Sequence, residues 1–161
     1  MVRLMRLNII YKKFKLLFLD IGLIKNMSGL DAELLLANDL NLIYEGALSE
    51  QLVGQELLAN QAITTPPELY YWARDKHGAS AEIDYLVQIG GQIIPIEVKS
   101  GKSGRLKSMQ IFLDEHKQYA QIANFGIKIS QDNLQFDHRI LSIPFYMLNQ
   151  IDRIVKAVNS S

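Results

Sequence analysis

The sequence predicts an α/β domain, more narrowly α+β, with a central mixed β-sheet flanked by helices. Three observations carry that expectation. The chain of 161 residues suits one domain with a sizeable core. Hydrophobic residues make up 48% of it, which excludes a mainly disordered polypeptide. Short apolar runs of strand character alternate with longer runs of helical period, the pattern of a sheet covered by helices.

Taken in order, residues 1–14 are basic and mixed and read as a lead segment, and the domain proper runs over 15–161. Residues 15–23, K-L-L-F-L-D-I-G-L, are a short buried strand or a turn into a helix, and Asp20 is a helix N-cap or a solvated turn residue, the cap being preferred. Asp31 opens a short helical run. Residues 42–60 make a better helix, with Ala47, Leu48, Leu52, Val53, Leu57 and Leu58 at helical spacing. Gly46 and Gly54 weaken that helix and leave room for another backbone close by. Residues 64–67, T-T-P-P, form a rigid connection to an aromatic strand over 69–73. Residues 74–78 read as a turn, where Arg74, Lys76 and His77 either touch phosphates or are simply solvated. His77 has no second histidine at ligand spacing, so no zinc site follows.

After the central hairpin, a helix is expected over 105–119, burying Leu106, Met109, Phe112 and Leu113. Lys102, Arg105 and Lys107 near its start are either phosphate-binding cations or an ordinary charged turn. A strand over 123–130 and further extended structure over 133–143 follow. Pro144 suits the first turn of a final helix carrying Phe145, Leu148, Ile151, Ile154 and Val158.

Composition narrows the function classes. Seventeen basic and seventeen acidic residues cancel, which weighs against a large nucleic-acid footprint but permits a local basic patch. There is no cysteine, which excludes disulfides, thiol catalysis and Cys-zinc sites and suits the cytoplasm. The apolar stretch 16–24 is interrupted by Asp20 and too short to span a bilayer, and the basic N-terminal residues do not form a signal peptide. No membrane partner is expected. Residues 101–103, G-K-S, lack the earlier glycine of a phosphate loop, because Ile96 stands there.

The informative stretch is 81–101, A-E-I-D-Y-L-V-Q-I-G-G-Q-I-I-P-I-E-V-K-S-G. Gly90-Gly91 between two alternating apolar runs predicts a tight hairpin turn, since both central residues need positive φ. The register that follows pairs Ile89 with Gln92, Val87 with Ile94, Tyr85 with Ile96, Asp84 with Glu97 and Ile83 with Val98. One face then carries Ile83, Tyr85, Val87, Ile94, Ile96 and Val98, and the other Glu82, Asp84, Glu97 and Lys99. Opposed carboxylates destabilise a sheet unless neutralised. A hard divalent cation such as Mg²⁺ or Mn²⁺ would do so. A plain solvated face, with Lys99 paired to Glu82, accounts for the same pattern.

Asp84 in E-I-D-Y, a hairpin, then Glu97-Val98-Lys99 resembles the core of the PD-(D/E)XK nuclease superfamily. The wider run G-A-L-S-E-Q-L-V-G-Q-E-L, then L-Y-Y-W-A-R-D-K-H-G-A-S-A-E-I-D-Y-L-V, then P-I-E-V-K-S-G, is similar to the nuclease-like C-terminal domain attached to a family of prokaryotic AAA-type ATPases. The likeness covers about residues 14–151; the ATPase part is not in this sequence. It implies a restriction-endonuclease-like fold and a metal-dependent phosphodiester hydrolysis on DNA. It implies that Asp84 and Glu97 hold one or two Mg²⁺ (or Mn²⁺) with the Val98 carbonyl as a further ligand, and that Lys99 acts on the attacking water. It also implies a helix carboxylate before the hairpin. Glu50 lies on the apolar stripe beside Ala47, Val53, Gly54 and Leu57, where a carboxylate is costly unless paired or metal-bound, so it is the choice, with Glu56 as fallback. A carboxylate snorkelling from the edge of the stripe is the plainer account. The partners implied are DNA and an AAA-type ATPase module, and a homo-oligomer stays open. The competing reading is a catalytically silent nucleic-acid or protein-binding module, or a structural partner for a separate ATPase chain.

Overall fold

In the computed structural model, which describes residues 2–4, 14–20, 22–23, 38–62, 64, 66–74, 80–101 and 106–160, the central hairpin turns where two glycines allow it. Gly90 and Gly91 have φ of 61° and 82°, the left-handed pair that a two-residue turn between twisted strands requires. The strands it joins are β4 (Ala81–Ile89) and β5 (Gln92–Val98). Their ladder runs Ile89–Gln92, Gln88–Ile93, Val87–Ile94, Leu86–Pro95 and Tyr85–Ile96, in the expected register.

Among the described residues the sheet has eight strands. The others are β1 (Val2–Leu4), β2 (Phe14–Lys15), β3 (Tyr70–Arg74), β6 (Gly126–Ser130), β7 (Gln135–Asp137) and β8 (Ile140–Pro144). Their spatial order is β2-β1-β3-β4-β5-β6-β8-β7. Pairing is mixed: β1–β3, β5–β6 and β6–β8 are parallel, and the rest antiparallel. Residues of the basic lead segment therefore contribute β1 to the sheet. Among the described residues three helices, α1 (Asn38–Ala59), α2 (Lys107–His116) and α3 (Ile151–Asn159), flank it, giving the expected α+β class. Residues Phe145–Gln150 form a 3₁₀ turn before α3, so Pro144 closes β8 rather than opening the helix itself.

Each face of the sheet has its own core. Val53 and Leu57 of α1 and Ile151 and Val155 of α3 pack with Tyr85, Ile94, Ile96, Val98, Ile127 and Ile143. On the other face, Met109, Phe112 and Leu113 of α2 pack with Ile83 and Leu86. Strand β5 lies between these layers and is buried almost throughout, as a central strand of parallel and antiparallel neighbours should be. The α2 layer is reinforced by Trp72, whose ring meets Phe112 and His116 edge-on at 5.3 and 5.7 Å.

Ile83, expected on the face of Tyr85, packs instead in the α2 core while Tyr85 packs in the α1 core. The cause is a bulge. Tyr70 pairs with Leu86 and Trp72 with Ile83, so two steps on β3 oppose three on β4. Such an extra residue reverses the alternation beyond it. The ladder with β5 also stops at Tyr85–Ile96, and neither Asp84–Glu97 nor Ile83–Val98 forms a rung.

Asp20 Oδ1 accepts the amides of Gly22 and Leu23, at 2.6 and 3.3 Å, as an N-cap does. The helical run from Asp31, the turn over 75–78, and Lys102 and Arg105 lie outside the described residues. No helix among the described residues is long and apolar enough to cross a membrane.

Gly54 is explained by side chains rather than by a neighbouring backbone. A Cβ there would lie 2.7 Å from Tyr85 Oη and 2.8 Å from Leu17 Cδ2. The Tyr85 hydroxyl needs that room, because it donates to the Glu50 carbonyl at 2.8 Å. Gly54→Ala is therefore expected to destabilise the fold by roughly 1–3 kcal/mol despite alanine's better helix propensity. Urea unfolding checks this, and the loss should shrink in a Tyr85→Phe background, where the obstructing oxygen is gone.

Candidate functional site

The end of the hairpin opposite its glycine turn is where β4 and β5 part. Lys99 N–H bonds to the Ile129 carbonyl on β6 at 2.9 Å, so the preceding amide faces β4. No β4 carbonyl meets it there; the Asp84 carboxylate does, with Oδ2 accepting the Val98 N–H at 2.8 Å. A charged acceptor on a backbone amide is a strong hydrogen bond, and it pins Asp84 at the mouth of the gap.

Around this point one pocket is lined by Lys15, Glu50, Glu82, Asp84 and Glu97, with Ser108 of α2 on its wall. They come from four elements. Glu50 projects from α1, Glu82 and Asp84 come from β4, with Asp84 inside its bulged stretch, Glu97 is the next-to-last residue of β5, and Lys15 ends the two-residue β2. Lys15 Nζ lies 2.6 Å from Glu82 Oε1, 3.4 Å from Asp84 Oδ1 and 3.7 Å from Glu50 Oε2. It also sits 5.5 and 5.9 Å from the ring centres of Tyr71 and Tyr85, within cation–π range. Lys99 Nζ donates to Glu97 Oε1 at 2.8 Å. Lys99 thus pairs with its own strand neighbour, and Glu82 with Lys15, rather than the two with each other.

Glu97 is the least comfortable group. It is 7% exposed, and its Oε2 has no hydrogen-bond partner among the described residues. Burial, and then the charge of Asp84, push its pKa up, against the pull of Lys99. Glu50 is pushed up to about 7, first by burial and then by Asp84, with Lys15 opposing. Burial drags the Lys15 ammonium down, but Asp84, Glu82 and Glu50 outweigh it and its pKa stands above the ordinary lysine value. Burial, then Glu50 and Asp84, raise the Tyr85 phenol as well, so it stays a donor to the Glu50 carbonyl.

The site thus brings together Glu50, Asp84, Glu97 and Lys99, and adds Lys15 and Glu82. Glu56 is not among the pocket's lining residues. Lys15 carries no signal of this role in the sequence, because its 69-residue separation from Asp84 leaves no local pattern. The donor chemistry would suit a hard divalent ion, since Glu50, Glu82, Asp84 and Glu97 offer carboxylate oxygens and Glu97 Oε2 is buried without a partner among the described residues. The spacing does not yet suit one: among the described residues no three of His, Asp and Glu lie close enough together to hold a metal ion.

Glu50 supplies a pH test. Its pKa is about 7 in the fold, above its ordinary value of 4.5, so the native state holds the proton more tightly than the unfolded chain. Stability from this group is then present at low pH and lost as pH rises through about 7. In metal-free buffer, melting temperatures of the wild type should fall more between pH 5 and pH 8 than those of Glu50→Gln. Parallel curves would contradict the assignment.

Comparison with known proteins places this site within a family. The family described as "Domain of unknown function (DUF4143)" matches residues 45–148, a span from α1 to the 3₁₀ turn that includes Glu50, Asp84, Glu97 and Lys99. No curated protein and no solved structure matches the chain. The chain belongs to the DUF4143 family.

Proposed function

We propose that this domain is a PD-(D/E)XK-type phosphodiesterase acting on DNA with Mg²⁺ or Mn²⁺, in the setting of an AAA-type ATPase. The observation that carries the reading is the unpartnered Oε2 of Glu97, over nine-tenths buried, beside the pinned carboxylate of Asp84. A buried carboxylate oxygen without a donor is costly, and a cation is the partner that removes the cost.

Asp84, Glu97 and Glu50 would hold the ion, with the carbonyl of Val98, the residue after Glu97, as a further ligand. The chemistry that a bound divalent ion supplies is an acidified water and relief of charge on the scissile phosphate. The chain's own residues supply the rest. The Val98 amide fixes Asp84, and Glu97 Oε1 orients the Lys99 ammonium. Lys99 in turn positions the attacking water or neutralises charge on the phosphate in the transition state.

A second reading, a catalytically silent recognition module, has one observation in its favour: Lys15 already neutralises part of the carboxylate cluster. The two differ in turnover. Supercoiled DNA with Mg²⁺ or Mn²⁺ should be nicked by the wild type, and Asp84→Ala or Lys99→Ala should reduce the rate by roughly 10²-fold or more while circular dichroism stays unchanged. Cleavage surviving intact in both variants would remove the site. DNA bound but never cut would establish the recognition module instead.

A further inference from the structure

The carboxylate cluster already contains a cation, and it belongs to the chain. Lys15 Nζ stands among Glu50, Glu82 and Asp84 at 2.6–3.7 Å. Magnesium holds its oxygens at about 2.1 Å. Carboxylates arranged around an ammonium are therefore too far apart to share a metal ion, which accounts for the absence of a three-carboxylate cluster among the described residues.

The segment carrying Lys15 is fastened in a way that can be undone. β2 is only two residues long. Beyond it, residues 16–18 are held against α1 by side-chain amides: Gln51 Nε2 donates to the Leu16 carbonyl at 2.9 Å, the Phe18 amide donates to Gln51 Oε1 at 3.0 Å, and Gln55 Nε2 donates to the Phe18 carbonyl at 2.9 Å. Leu17 packs on the α1-side core, whereas Leu16 and Leu19 are 57% and 92% exposed. Such a strap, with few buried apolar contacts, belongs to the low-stability end of a fold.

We propose that Lys15 is a built-in plug: its ammonium holds the place a divalent ion needs, and the ion enters when the strap of residues 15–18 lifts away from α1. This rests on the metal-site reading above. Glu97 fits the scheme, since it lines the same pocket, is not among the acids that Lys15 pairs with, and has an Oε2 without a hydrogen-bond partner among the described residues. Displacing the ammonium exposes an excess of negative charge that a divalent ion matches better than a single positive charge.

The test is Mn²⁺ titration by calorimetry, with thermal melts, on the wild type, Lys15→Met and the double variant Gln51→Ala/Gln55→Ala. Lys15→Met should bind Mn²⁺ about tenfold more tightly or better, the effect of one charge–charge interaction of ordinary strength. It should melt below the wild type without metal and recover with Mn²⁺. The double variant keeps Lys15 but loosens the strap, and it too should bind Mn²⁺ more tightly than the wild type. Equal or weaker binding by Lys15→Met, with the wild type binding normally, overturns the plug and leaves the metal site standing. Blank titrations in all three proteins remove the metal site and the plug with it. Should Lys15→Met not fold, the double variant decides, and wild-type affinity in it overturns the proposal.

Discussion

A carboxylate takes the place of missing ladder at the heart of this fold. The β4–β5 hairpin is regular from its glycine turn to Tyr85–Ile96 and then ends. From there β5 continues with β6, while β4 is drawn towards β3 by the bulge. The separation leaves the Val98 amide without a backbone acceptor across the gap, and a buried amide left so would cost on the order of 1–3 kcal/mol. Asp84 Oδ2 takes that bond. The same side chain that permits the strands to diverge is thereby held at the opening they create.

The gap gathers charge because several elements end there. Glu50, Glu82, Asp84 and Glu97 meet two ammonium groups, Lys15 and Lys99. Among the described residues carboxylates outnumber cations there, and burial, then the charge of Asp84, raises the pKa values of Glu50 and Glu97. Tyr85 and Gly54 tie this charge to the scaffold. The tyrosine ring belongs to the α1-side core, its hydroxyl bonds the Glu50 backbone, and the missing Cβ of Gly54 admits it. Packing in the core and placement of the helix carboxylate are one arrangement, and neither shifts without the other.

Much of this was legible in the residues alone, wherever a local rule applied. Gly90-Gly91 set the turn and, through it, the register as far as Tyr85–Ile96. Helical spacing identified Val53 and Leu57 on α1 and Met109, Phe112 and Leu113 on α2 as core residues. Glu50 was distinguished from Glu56 by the stripe it interrupts. The bulge was not legible, because it depends on how β3 meets β4, and strict alternation therefore put Ile83 on the wrong face. Lys15 and the partner of Glu82 were illegible for the same kind of reason. A two-residue strand near the N-terminus carries no periodicity, and its position is set by Gln51 and Gln55 far along the chain.

Charged pairs elsewhere in the molecule clarify what is unusual here. Arg74 pairs with Glu115, tying β3 to α2, and Lys128 pairs with Asp132 four residues on. In each of those pairs an acid meets a base. At the hairpin's open end the matching fails: Lys15 is shared among three acids, and Glu97 keeps one oxygen buried with no hydrogen-bond partner among the described residues. Partly satisfied buried charge lowers stability relative to an apolar filling of the same volume. Perturbed carboxylates in a cleft are the kind of cost that folds carry at working sites. The shortfall at Glu97 and the sharing at Lys15 have a common remedy, a cation with more charge and a smaller radius than an ammonium. That is why the physics of this pocket points towards an exchangeable ion rather than a finished salt bridge.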